Sequence, residues 1–96
     1  MLIEAPYKAQ DTVTVKTTAG DELVGRFIEE NDKEVVIEKP LALMATAQGM
    51  GLAPFAFTIP PDARIKLNRS AVLFVHKTET EMAKQYVQNV SGIQMV

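Results

Sequence analysis

The chain has no cysteine, no tryptophan and a single histidine, His76. Without thiols there is no disulfide framework, no zinc–thiolate site and no cysteine nucleophile. One imidazole is too few for a histidine-built zinc site. A serine–histidine pair would have to combine His76 with Ser70 or Ser91, and no G-x-S-x-G elbow presents either serine. His76 therefore reads as a solvated or structural residue. Positive charge is also scarce, with 10 Lys and Arg against 12 Asp and Glu, a net charge of −2 and a pI near 5.3. That balance disfavours coating nucleic acid through bulk charge, which needs an excess of cations. A locally basic site repeated by an oligomer stays open. No apolar run approaches the ~18 residues of a membrane helix. The lead Met1-Leu2-Ile3-Glu4-Ala5-Pro6 has neither the basic nor the apolar region of a signal peptide, so a cytoplasmic protein is expected.

What is present suits a small folded domain. Ninety-six residues, 47% hydrophobic and 23% charged, make one domain with a real core. Thr12-Val13-Thr14-Val15-Lys16-Thr17 alternates as a half-buried strand does. Ala19-Gly20-Asp21 is the turn after it. Glu22 to Glu30 is the second strand. Leu23, Gly25 and Phe27 share one of its faces, Val24, Arg26 and Ile28 the other. A glycine at its centre predicts a bend or a close backbone approach. Asn31-Asp32-Lys33 turns the chain into a third strand from Glu34, which continues past Lys39-Pro40 into Leu41-Ala42-Leu43-Met44. Gln48-Gly49-Met50-Gly51 forms the tip of a long hairpin.

The alternation of Phe55, Phe57 and Ile59 predicts a fourth strand, interrupted by Pro60-Pro61 and resuming over 63–67. After a tight turn at Asn68-Arg69-Ser70, the run Ala71-Val72-Leu73-Phe74-Val75 is a fifth strand, apolar on both faces and expected to be buried on both. In so small a domain one side can be a neighbouring subunit. A helix follows over about 79–91, with Thr78 and Glu81 as a capping box and Met82, Tyr86, Val87 and Val90 as its packed stripe. Gly92 is the expected stop, and the tail from Ile93 to Val96 is too short to assign.

Little of this asks for catalysis. Glu29, Glu30, Asp32 and Glu34 cluster, but without the spacing or glycine of a calcium loop. Gly49-x-Gly51 has no lysine and does not join a strand to a helix, as a phosphate loop does. The expectation is no catalytic residue, no metal and no cofactor. Arg69 stands out, a cation in a turn between Asn68 and Ser70, all three able to bond phosphate, sugar or base edges.

A Val-x-Val strand, a turn at Gly20, a strand centred on Gly25, a polar turn and an apolar strand together resemble the first motif of Sm-like proteins. Leu67-Asn68-Arg69-Ser70-Ala71-Val72 stands where the family's second motif, Ile-Arg-Gly-Asn/Asp-x-Val, joins its last two strands. The resemblance covers residues 12–44 and 63–77 and is most like the phage-borne, cyanophage-type branch. It implies a mainly β fold over 1–96, a strongly bent five-stranded antiparallel barrel with strands within about 12–77, here followed by a C-terminal helix. It implies a homo-oligomeric ring closed by the fourth strand of one subunit and the fifth of the next, through Phe57, Ile59, Ile65, Val72 and Phe74. It also implies single-stranded RNA as partner, met by Asn31, Asp32, Asn68, Arg69 and Ser70, in the host cytoplasm for a phage-encoded chain. The family's first RNA-binding turn reads Asp-x-x-hydrophobic-Asn. Here Glu34, Val35 or Val36 follows Asn31 or Asp32, and the base-contacting asparagine is absent. The alternative is a ring that serves protein interaction or assembly and has lost RNA binding.

Overall fold

The computed structural model describes residues 6–94, with side chains through residue 90. The lead 1–5 and the last two residues lie outside it. The order is β1 (Thr12–Thr17), β2 (Glu22–Glu30), β3 (Glu34–Thr46), β4 (Gly49–Pro54), β5 (Arg64–Asn68), a 3-10 turn (Arg69–Ala71), β6 (Val72–Lys77) and α1 (Thr80–Gln94). All pairings are antiparallel, in the order β4-β3-β2-β1-β6, with β5 also on β3. The protein is mainly β with one C-terminal helix, and its sheet has six strands where the sequence predicts five. The extra strand is β4. It pairs residue by residue with the second half of β3, from Leu41↔Pro54 to Thr46↔Gly49, while β5 pairs with the first half. Among the described residues β5 and β6 do not pair with each other, and no closed barrel is formed.

Two cores lie on opposite faces of the sheet, as alternation in β1 and β2 requires. Val13, Val15, Leu23, Phe27, Val35 and Ile37 form the first, with Ile65, Leu67, Val72 and Val75 packed against it. Val24, Leu41, Tyr86 and Val90 form the second, where α1 covers the outer face.

Of the bend or close backbone approach expected at Gly25, the structure shows the close approach. The register steps from Val24↔Leu41 to Arg26↔Glu38, so β3 bulges by one residue opposite Gly25. A Cβ on Gly25 would meet the Ile37 Cδ1 at 3.1 Å and the Glu38 carbonyl oxygen at 3.2 Å. The bulge holds Lys39 at φ 54, an unfavourable conformation for a residue with a Cβ. Two hydrogen bonds fix it. The Lys39 N–H donates to the Ala63 carbonyl at 3.1 Å. The Tyr86 hydroxyl donates to the Lys39 carbonyl at 2.7 Å, and lies 3.2 Å from that of Glu38.

Five local expectations are corrected. Phe55, Phe57 and Ile59 are not a strand but part of the exposed connection from β4 to β5. The prolines flanking them leave too few ladder donors for pairing. The β6 run is not buried on both sides, since Leu73 is 62% and Phe74 52% exposed in the single chain. Thr78 does not cap the helix. It is buried, with its hydroxyl 3.0 Å from that of Thr14, and the cap is the Glu79 carboxylate, which accepts from the Glu81 and Met82 N–H groups. The helix also runs through Gly92 to Gln94, and Val87 is exposed outside the packed stripe.

Candidate nucleic-acid interface

The two turns singled out in the sequence meet at one end of the sheet. The cause is the register of β5 on β3, which sets Asn68 opposite Glu34. The Arg69 N–H then donates to the Lys33 carbonyl at 2.9 Å, tying the β5–β6 turn to the β2–β3 turn. Asn31, Asp32, Asn68, Arg69 and Ser70 are thereby exposed on neighbouring turns. Asn31 is partly committed to its own turn. Its side-chain oxygen accepts from the Lys33 N–H at 2.7 Å and the Glu34 N–H at 3.0 Å, which leaves the amide N–H groups to offer. Residues 31–34 line a shallow open recess of about 340 Å³.

Two residues outside the expected RNA-contacting set decide the electrostatics. Glu30, the last residue of β2, accepts from the Arg69 Nη1 at 2.5 Å through one oxygen and from the Tyr7 hydroxyl at 2.5 Å through the other. The Tyr7 ring stands edge-on against Phe27 with centroids 4.8 Å apart, which anchors residue 7 to the first core. Sequence separations of 23 and 39 residues hide these contacts from any local pattern. Glu30 is partly buried, which pushes its carboxyl upward. The hydrogen bonds from Tyr7 and Arg69 and the guanidinium charge outweigh this, so its pKa falls below the usual 4.5. Burial, then the bond and charge of Glu30, raise the Tyr7 phenol to about 12. Burial does the same to Tyr86, also about 12.

A titration follows from these shifts. Tyr7 and Tyr86 are the chain's 2 tyrosines. Because both folded values exceed the usual 10.0, the stability they contribute is complete below that value and lost as pH rises through about 12. Glu30 has the opposite sign. Its contribution holds above 4.5 and is lost as pH falls through its lower folded value. Phenolate absorbance should therefore rise only around pH 12, and Glu30→Gln should move one of the two transitions down. A wild-type transition near 10.0 would mean that one of the two tyrosines does not keep its buried setting in solution.

Chemically, the site offers hydrogen-bond donors with little net positive charge. Lys33 and Arg69 face Glu30, Asp32 and Glu34, and one nitrogen of the guanidinium is already engaged. A base edge, which is neutral, suits such a site better than a phosphate. Among the described residues no three His, Asp or Glu side chains gather as a metal ion would need, and no helix is long and apolar enough to cross a membrane.

Of the residues expected at a subunit interface, Ile65 and Val72 pack against the first core. Phe57 at 85%, Phe74 at 52% and Ile59 at 38% are exposed. Phe57 and Ile59, with Pro40, Leu41, Pro54, Ala56, Pro60 and Pro61, line an apolar recess of about 320 Å³.

No family model matches the chain, and no curated protein matches it.

Proposed function

We propose that this chain is a non-catalytic subunit of a homo-oligomeric ring of the Sm-like type, which binds single-stranded RNA in RNA metabolism in the cytoplasm. The observation that carries the RNA reading is the bond from the Arg69 N–H to the Lys33 carbonyl, which gathers the two polar turns into one hydrogen-bonding surface. The ring reading is supported by the strand order. β5 and β6 are joined by a single 3-10 turn, yet β5 pairs only with β3 and β6 only with β1 among the described residues. Each keeps an open outer edge, and β5 of one copy can be continued by β6 of the next, a strongly bent barrel sheet shared around the ring.

The test is equilibrium binding of the nucleic-acid-free protein to short U-rich and A-rich single-stranded RNA, with single-stranded DNA as control. Saturable binding that survives physiological salt is expected. Arg69→Ala should weaken it by about tenfold to a hundredfold, the usual range for a lost base-edge contact. Its salt dependence should change little, because Glu30 already balances the guanidinium. No binding at low salt would sink the RNA reading.

A second reading is favoured by the Arg69–Glu30 pair and by exposed Met44, Met50, Phe55 and Phe57. In it the ring is a protein-interaction or assembly module that has lost RNA binding. Recovery of one specific protein and no RNA with the purified ring would support it.

A further inference from the structure

The surplus positive charge that the turn site lacks lies on the outward face of β5 and its neighbours. Alternation along β5 turns Ile65 and Leu67 into the first core and leaves Arg64, Lys66 and Asn68 exposed on the other face. The register sets Arg64 opposite Glu38 and Lys66 opposite Val36, and Arg26 of β2 opposite Glu38 from the far side. Glu38 is thus a carboxylate between two guanidiniums, 3.1 Å from Arg64 Nε and 4.0 Å from Arg26 Nη1. The Glu38 side chain is only 18% exposed, Arg26 30% and Arg64 62%. Lys66, on the Val36 row, adds a third cation to this face, which β2 answers with Glu29 on the far side of β3. The surplus is therefore confined to the β5 side, where Arg64 and Lys66 stand against Glu38 alone on a chain whose net charge is −2. Glu34, opposite Asn68, is at the far end, beside the turn site.

We propose that the outward face of β5 is a phosphate-contacting surface for a single strand of nucleic acid, with Arg64 and Lys66 each taking one phosphodiester group and Arg26 adding charge behind them. The inference rests on the RNA-binding reading and divides its work. Arg64 and Lys66 project two residues apart on one strand face, roughly 7 Å, which is of the order of the phosphate spacing in an extended strand. The stripe Arg64–Lys66–Asn68 runs directly into the turn that carries Arg69. A strand held by its backbone on β5 is led to the neutral hydrogen-bonding site at the turns. Position comes from the phosphates and base preference from the turns. Glu38 fixes both guanidiniums and limits the charge, so the patch alone does not bind every polyanion. The stripe lies on the face of β5 and not on its edge, so pairing of that edge with a second copy leaves it open.

The experiment measures affinity for a U-rich single-stranded RNA across salt concentration for the wild type, the Arg64→Ala/Lys66→Ala double variant and Glu38→Gln. Both cations are exposed, so the double variant should keep the wild-type circular dichroism and melting curve. Its affinity at low salt should fall about tenfold, and the slope of log K against log salt should shallow by about 1.4 per engaged subunit, at about 0.7 per lost phosphate contact. Its preference among bases should be unchanged. Glu38→Gln should shift both quantities the opposite way. A wild type that binds while the double variant keeps its affinity and slope overturns this surface and leaves the RNA reading standing. A wild type that binds no RNA overturns both. Equal loss of binding to phosphatidylserine vesicles, with RNA binding unaffected, assigns the patch to a membrane surface and overturns the nucleic-acid assignment.

Discussion

Replacing Tyr86 with alanine is expected to lower the unfolding free energy by about 3–5 kcal/mol, the usual cost of deleting a buried aromatic side chain. Tyr86 has no exposed surface and sits between Val24, Leu41 and Val90 in the second core. Its removal takes away the largest side chain joining α1 to the sheet and leaves a cavity that the rigid strands cannot fill. It also strips the Lys39 and Glu38 carbonyls of their partner. Lys39 is held at φ 54 partly by that bond, so the bulge loses a restraint just where the backbone is least favourable. Typical total stabilities are only about 5–15 kcal/mol, so the alanine variant should be near its limit. Tyr86→Phe keeps the ring and separates the terms. It should cost about 1–3 kcal/mol for the lost hydrogen bond and the carbonyls left wanting. Urea unfolding followed by circular dichroism measures both. An alanine variant as stable as the wild type would show that α1 does not dock on the sheet in solution.

The second large effect concerns assembly. The wild type should sediment as a defined oligomer and the Leu73→Lys/Phe74→Glu variant as a monomer. Leu73 and Phe74 lie where the register of β6 on β1 shifts, between Val72 and Val75, which both pack on the first core, and they are 62% and 52% exposed. An apolar edge with unpaired backbone groups invites strand pairing and persists in a well-behaved protein when a partner covers it. Burying two such side chains is worth about 3–6 kcal/mol per interface at about 1.5–3 kcal/mol each. Exchanging them for charges should therefore weaken each contact by at least two to four orders of magnitude. Neither residue belongs to the two cores, so the variant monomer should unfold cooperatively. A monomeric wild type would remove the ring from the proposed function, and an oligomeric variant would move the interface away from β6.

β6 also shows where sequence patterning stops. The apolar run 71–75 correctly marks a strand, but periodicity cannot tell burial within the chain from burial against another copy. Phe55, Phe57 and Ile59 alternate as strand residues do, yet they lie in a loop, because Pro54, Pro60 and Pro61 leave the segment short of donors. The capping pattern Thr78–Glu81 failed for a related reason. The Thr78 hydroxyl has a tertiary partner in Thr14, so Glu79 caps instead.

The candidate site divides the same way. Asn31, Asp32, Asn68, Arg69 and Ser70 were legible because turns between strands concentrate polar residues at the surface. That they stand together depends on which residue of β5 faces which residue of β3. Nothing local along the chain tied Tyr7 and Glu30 to Arg69, whose charge Glu30 balances, or brought Arg26, Glu38 and Arg64 together.

By itself, the sequence determined the strands β1, β2, β3, β5 and β6, the close approach at Gly25, the hairpin after Pro40, the helix and its packing through Tyr86. Each rests on interactions between near neighbours along the chain, or on a steric property of one residue. Only the tertiary structure decided that the sheet has six strands and open ends among the described residues, that Glu30 holds Arg69, and that two guanidiniums meet at Glu38. Those outcomes depend on register, and moving one strand by a single residue turns every side chain to the other face.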